Sequence, residues 1–221
     1  MKEFNWLPKD LREFGHYLES YGEPDVTNPN ELDLVFIGSG LSSTFTLIEF
    51  INKLGQKIPE SSLKKSYSTV RISVFEKDSC LWGGIPYGPR SGFTSLLITP
   101  LDEFLPEPEL EPFIKWMTDN IDWLLIPYQK SLSNHSKVWL SNFHRKLVSS
   151  ECEKLHLPRY FFGLYLWNKL RESLIHAKIR IDLNYINSEV ISIERNNRDQ
   201  EKFQLTTSNN SCYFSKQVLL G

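Results

Sequence analysis

Residues 32–37, "LDLVFI", are almost continuously apolar, the pattern of a strand buried on both faces in a parallel sheet. The run stops at Gly38. From Ser43 onward the spacing changes: Phe45, Ile48 and Ile51 recur at helical intervals, and Gly55 supplies a stop signal. After a loop rich in lysine and serine, "VRISVFEK" (70–77) reads as a second strand. Residues 33–76 therefore predict strand, glycine turn, helix, strand: a βαβ unit with a right-handed crossover.

Beyond it the pattern becomes irregular. Residues 80–108 are dense in glycine and proline, yet carry enough aliphatic and aromatic side chains to argue for an ordered functional loop. Three helical segments follow: 111–125, with Pro112 in its first turn; 135–155, with Val138, Leu140, Phe143, Leu147 and Val148 on one apolar stripe; and 160–177. The period then shortens to that of strands. The segments 179–185, 188–195, 202–208, 211–215 and 216–221 read as five short strands punctuated by "NNRDQE" and "SNN". The expected organisation is a leader over 1–30 and one α/β domain over 31–221. That domain is a Rossmann-like parallel sheet (βαβ over 33–76), a loop and helical insert (80–177), then strands and a small β-meander (179–221).

The turn "GSGLSS" is the first candidate for chemistry. A helix N-terminus offers unpaired N–H groups and the positive end of a dipole, so it accepts an anion. Gly38 permits the sharp turn, Gly40 permits close approach of a phosphate, and Ser43 stands where a third glycine would let the helix lie close to the strand. Ser39, Leu41 and Ser42 complete this candidate pyrophosphate loop. Glu76 closes the second strand, where a carboxylate accepts hydrogen bonds from a ribose diol, and Lys77 lies beside it. An acid there favours an unphosphorylated ribose. The alternative is a plain strand-to-helix turn with a surface carboxylate.

Composition narrows the classes. Hydrophobic residues are 40% and charged residues 24%, ordinary for a globular protein, and the formal net charge of -2 gives no electrostatic footprint for nucleic acid or anionic lipid. No apolar run reaches the roughly 20 residues of a bilayer span, and the N-terminus lacks a secretory pattern. Cys80, Cys152 and Cys212 are widely separated, as in a reducing compartment, so the cytoplasm is the expected location. His16, His135, His144, His156 and His176 show no metal-ligand spacing. Six tryptophans within 13% aromatic residues point to a densely packed interior or a flat-ligand pocket. Arg159, at a predicted helix start, reads as a surface ion-pair partner or a contact for an anion.

With "FEKDSCLWGGIPYGP" the chain resembles the FAD/NAD(P)-binding flavoproteins that include FAD-dependent urate hydroxylase and aspartate N-hydroxylase relatives. The matching residues are the glycine turn, the strand-end Glu76, the Gly-x-x-Tyr-Gly loop (Gly84, Tyr87, Gly88), and "SLLITP" (95–100). "PRYFFGLYL" matches through Pro158, Arg159, Phe162, Gly163, Tyr165 and Leu166. The resemblance implies a glutathione-reductase-like fold holding FAD, with NAD(P)H as co-substrate and a small molecule as substrate. It also implies that Gly84, Tyr87 and Gly88 join the cofactor site. Ile98 stands where the family has asparagine, and the chain stops at Gly221, where relatives continue. The function implied is a monooxygenase-like flavin oxidoreductase. A non-catalytic dinucleotide-binding remnant or partner subunit is the competing expectation, and a Rossmann methyltransferase leaves the β-meander unexplained.

Overall fold

The computed structural model describes residues 8, 9, 11, 13, 31–57, 69–78, 84–88, 91, 92, 94–148, 151–196, 199 and 201–221, with the side chains of 55–57 and 147–148 outside the description. Most of the expected leader, part of the 80–108 loop with Trp82 and Gly83, and Cys80 lie outside the described residues. Leu11, from the leader, is buried in the main core, and its carbonyl accepts the Trp167 indole N–H at 3.4 Å.

A six-stranded sheet organises the fold, in the order β3-β2-β1-β6-β5-β4. The strands are β1 (Glu31–Ile37), β2 (Val70–Phe75), β3 (Ile181–Ile186), β4 (Val190–Arg195), β5 (Phe203–Thr207) and β6 (Cys212–Leu220). β3, β2, β1 and β6 run parallel, and the β4–β5–β6 meander is antiparallel. The expected α/β sheet and meander are present. The two short strands expected at 211–215 and 216–221, however, are one strand. Buried Ser215 sits in the ladder with Leu32 on one side and Phe203 on the other, so pairing passes from β5 to β1 without a break.

Helix α1 (Leu41–Lys57) joins β1 to β2. Between β2 and β3 lie α2 (Gly84–Tyr87), α3 (Leu101–Phe104), α4 (Leu110–Asp119), α5 (Ile121–Leu124), α6 (Ile126–Lys130), α7 (Asn134–Val148) and α8 (Arg159–Ile175). The single helix expected over 111–125 is divided at Asn120. Its backbone leaves helical geometry (φ −115°, ψ 10°), while its side chain donates to the Trp116 carbonyl at 2.7 Å and accepts from the Trp123 indole at 2.9 Å. An asparagine able to bond its own backbone competes with the helix ladder. The helix expected over 135–155 ends at Val148, and a 3-10 turn occupies Cys152–Lys154. Val138 is not on a buried stripe: it is 70% exposed, while Phe143 is fully buried.

The main core lies between one face of the sheet, α1 and α8, and takes in Leu34, Phe36, Leu47, Ile51, Ile72 and Phe162. The other face carries a smaller cluster of Leu32, Val35, Phe75 and Leu205, closed by Tyr213, whose ring meets Phe75 edge-on at 5.0 Å. Much of the aromatic content is interior packing. Phe162 alone contacts Phe45, Tyr87, Phe104 and Phe113 at centroid distances of 5.0–5.9 Å, each pair adding about 0.5–1.5 kcal/mol beyond area burial.

One contact fixes the glycine-rich loop to the body of the protein. A Cβ at Gly163 in α8 would lie 2.0 Å from the Tyr87 carbonyl oxygen, so α2 rests directly on bare α8 backbone. Gly163→Ala is expected to lower stability by about 3 kcal/mol, the upper part of the overpacking range. A drop in the urea midpoint at unchanged m would register it; an unchanged midpoint would mean that the loop is not seated on α8.

Candidate functional site

The four parallel strands end level with one another. Ile37 pairs with Phe75 and Leu220, and Phe75 pairs with Ile186. The ladder then runs one step further. The Gly38 amide donates to the Phe75 carbonyl (2.8 Å), the Gly221 amide to Ile37 (3.0 Å), and the Glu76 amide to Ile186 (3.0 Å). Gly38 takes φ +92°, a conformation natural to glycine, and a Cβ there would lie 2.8 Å from the Gly221 carbonyl. The chain can turn from β1 into α1 beside the end of β6 only with no side chain at 38.

This level ending brings Glu76 to the glycine turn. Its Oε2 accepts from the Ser39 amide and the Ser39 hydroxyl, both at 2.9 Å, and Oε1 accepts from the Asp78 amide at 3.1 Å. The exit of β3 steadies the segment from behind. The Asn187 amide donates to the carbonyls of Glu76 (2.9 Å) and Asp78 (3.0 Å), and the Tyr185 hydroxyl donates to Asp78 (2.6 Å). The strand-end acid thus faces the mouth of the sheet, and the Gly38 and Ser39 amides are both engaged within the protein. The first-turn amides of α1 are the ones left for an anion.

A cavity of about 380 Å³ opens at this place, small among ligand pockets, which span roughly 300–1,000 Å³. Gly38, Gly40, Glu76, Lys77, Gly84 and Gly221 line it, along with Asp78 and the β3–β4 turn, Ser188 to Val190. A Cβ on Gly40 would meet nothing within 4 Å, so its open side faces free space, and Gly84 closes over it, with its own Cβ position 3.3 Å from the Gly40 Cα. Glu76, Asp78 and Glu189 make the rim predominantly acidic, against the single cation Lys77. The cleft has room for one end of a dinucleotide, with bare backbone and carboxylates as its recognition groups. Those are the features a dinucleotide cofactor requires.

A family model described as FAD-NAD(P)-binding matches residues 35–221. The chain belongs to that family. A protein of Mycobacterium bovis that is described as uncharacterized is 36% identical over 141 residues, covering 64% of this chain and 25% of its own length, and Mycobacterium tuberculosis proteins match to the same extent. The chain thus spans a quarter of the length of these curated relatives. Among solved structures, cyclohexanone monooxygenase from Rhodococcus sp. Phi1 bound to NADP+ aligns with a TM-score of 0.40 and 13% identity, over 88% of this chain and 26% of that one. DfoA, a cadaverine monooxygenase from Erwinia amylovora bound to FAD, aligns with a TM-score of 0.33 and 11% identity, over 96% of this chain and 38% of that one.

The other expected site residues of this FAD-NAD(P)-binding chain surround the cleft without lining it. Ser39 is buried behind the turn, Leu41 and Ser42 begin α1, and Gly88 is buried with its amide on the Gly84 carbonyl (3.0 Å). The Tyr87 ring lies in the core against Phe104 and Phe162. Arg159 makes no ion pair among the described residues; its Nε donates to the Leu96 carbonyl at 3.0 Å and its amide to Ser95 at 2.9 Å, which ties "SLLITP" to the start of α8. Ile98, in the family's asparagine position, is 84% exposed. Ser188, Glu189, Val190 and Gly221 were not foreseen as lining residues; the level strand ends are the signal that locates them. Among the described residues no His/Cys/Asp/Glu cluster has the form of a metal site, and no helix is long and apolar enough to cross a membrane.

Ser43 shows what the missing third glycine costs. Its hydroxyl is buried without a hydrogen-bond partner, and a Cβ on Gly221 would lie 1.8 Å from it. The extra bulk on α1 is accommodated by bare backbone on the neighbouring strand end. Ser43→Ala is expected to raise stability by about 1 kcal/mol by removing an unsatisfied hydroxyl. Glu76→Gln should lower it by about 1–3 kcal/mol through weakened charge-assisted bonds to Ser39. Thermal unfolding without added nucleotide measures both; a destabilised Ser43→Ala or a neutral Glu76→Gln would contradict the geometry described.

Proposed function

We propose that this chain is the FAD-binding part of a flavin-dependent oxidoreductase of the monooxygenase kind, with NAD(P)H as reductant and a small molecule as substrate. The observation that carries the reading is the meeting of the Glu76 carboxylate with the glycine turn at the level ends of β1, β2 and β6. Gly40 and the first-turn amides of α1 would receive the pyrophosphate, since bare backbone and a dipole end favour an anion. Glu76 would accept from the adenosine ribose. The β3–β4 turn at Ser188–Val190 would border the adenine end of the same cavity. Bound FAD would supply the redox chemistry, while the protein binds, orients and excludes water.

Electrostatics supports an unphosphorylated ribose here. Three carboxylates rim the cavity, so a 2′-phosphate would meet like charge and lose its hydration without a matched cation. The acidic rim therefore disfavours NADP(H) in this cavity and suits the unphosphorylated ribose of FAD or NAD.

Reconstitution tests the reading. The purified protein incubated with FAD and passed through a desalting column is expected to retain yellow flavin absorbance, and NADP+ should not displace it. Gly40→Val, which fills the open side of the turn, should weaken FAD binding at least tenfold, or by roughly 1.4 kcal/mol, with little change in folding. A colourless wild-type protein, or a Gly40→Val variant that holds FAD as well as wild type, would refute the assignment. Flavin retained without NAD(P)H oxidation would favour a binding chain that works with a further catalytic part.

A further inference from the structure

Asn187 does not line the glycine-turn cavity, yet it holds the backbone of two residues that do, Glu76 and Asp78. It follows Ile186, the last residue of β3, as Glu76 follows Phe75, the last residue of β2. Phe75 and Ile186 pair in the ladder, so Glu76 and Asn187 emerge side by side. The backbone there folds tightly. The Ile186 carbonyl accepts the Glu76 amide at 3.0 Å and the Ser188 amide at 2.9 Å, which closes a three-residue turn centred on Asn187.

A primary amide has two N–H donors. Those of Asn187 reach the Glu76 carbonyl at 2.9 Å and the Asp78 carbonyl at 3.0 Å, with the Tyr185 hydroxyl at 3.2 Å. That hydroxyl, on a buried residue, donates in turn to the Asp78 carbonyl at 2.6 Å. Two carbonyls a turn apart are thus drawn to one side chain. In this arrangement the Asp78 amide reaches back to Glu76 Oε1 at 3.1 Å, while Ser39 holds Oε2. The orientation of the carboxylate therefore depends on the Asn187 clamp as well as on Ser39. Asn187 itself is exposed and belongs to neither apolar cluster, so these carbonyls, and not the core, account for an amide at this position. An aspartate of the same shape has no proton to give them.

We infer that Asn187 is a positioning residue that makes this cavity select a ribose carrying its hydroxyls over a sugar lacking them. It acts through Glu76. A carboxylate already fixed at the cavity wall bonds a sugar hydroxyl without first losing its own freedom, whereas a loose one gives back part of the bond in ordering. The inference rests on the reading of this cavity as the adenosine end of a dinucleotide site.

Calorimetric titration with ADP and with 2′,3′-dideoxy-ADP tests it, because the two share base, charge and diphosphate and differ only in the sugar hydroxyls. The wild-type protein is expected to bind ADP about tenfold more tightly, the worth of one hydrogen bond to a charged group. Asn187→Ala should weaken ADP to nearly the affinity of the dideoxy compound and leave the latter unchanged. Asn187→Asp adds a charge that both ligands meet alike, and should lower the same ratio. Glu76→Ala should abolish the preference by itself, and Asn187→Ala added to it should change the ratio no further. A preference for ADP kept by both Asn187 variants, whether or not overall affinity falls, would overturn the inference and leave the nucleotide site standing. A wild-type protein that binds neither compound, or a Glu76→Ala variant that keeps the preference, would overturn the reading of the cavity and the inference with it.

Discussion

Four parallel strands that stop on the same line create the site. Because Ile186, Phe75, Ile37 and Leu220 pair across the sheet in one row, the next residue of each strand emerges at the same mouth. A one-residue slip of β2 against β1 would turn every β2 side chain to the opposite face. It would take Glu76 away from Ser39 and bury a carboxylate or expose Phe75. The burial of Ile72, Val74 and Phe75 on two faces therefore specifies the chemistry at the end of the strand as firmly as it specifies the core.

The helical insert serves the same mouth at one remove. The glycine-rich loop passes over Gly40 through Gly84 and is seated on α8 at Gly163, while "SLLITP" is tied to the start of α8 through Arg159 and the Leu96–Pro158 bridge. The three stretches that carried the family resemblance thus touch one another in space. Their spacing in sequence reflects a packing unit around the glycine-rich loop, with Phe162 at its centre.

Much of this was legible in the sequence, for physical reasons that differ by element. β1, α1, β2 and α8 announce themselves because burial on both faces or on a broad stripe leaves little room for polar residues. The place of Glu76, directly after β2, followed from the same pattern. The division of the helix at Asn120 was not legible, because it depends on a tryptophan three residues later accepting the role of hydrogen-bond partner. The unity of β6 was hidden by Lys216, an exposed cation that reads as a turn until the partner strands on either side are known. Val138 was misplaced because valine suits a core stripe, whereas here it borders a cleft. The lining residues Ser188–Val190 and Gly221 are distant in sequence from the glycine turn and become neighbours only through strand order.

The hydrogen-bond count at Glu76 sets a limit on what it can recognise. A carboxylate has about four acceptor positions, and three are already taken by the Ser39 amide, the Ser39 hydroxyl and the Asp78 amide. One acceptor position remains, so a vicinal diol of the proposed ribose would be held at both oxygens only if the Ser39 hydroxyl rotated off. A serine at that position would thereby compete with the sugar we propose for Glu76, and binding there would be an exchange of partners rather than a simple gain.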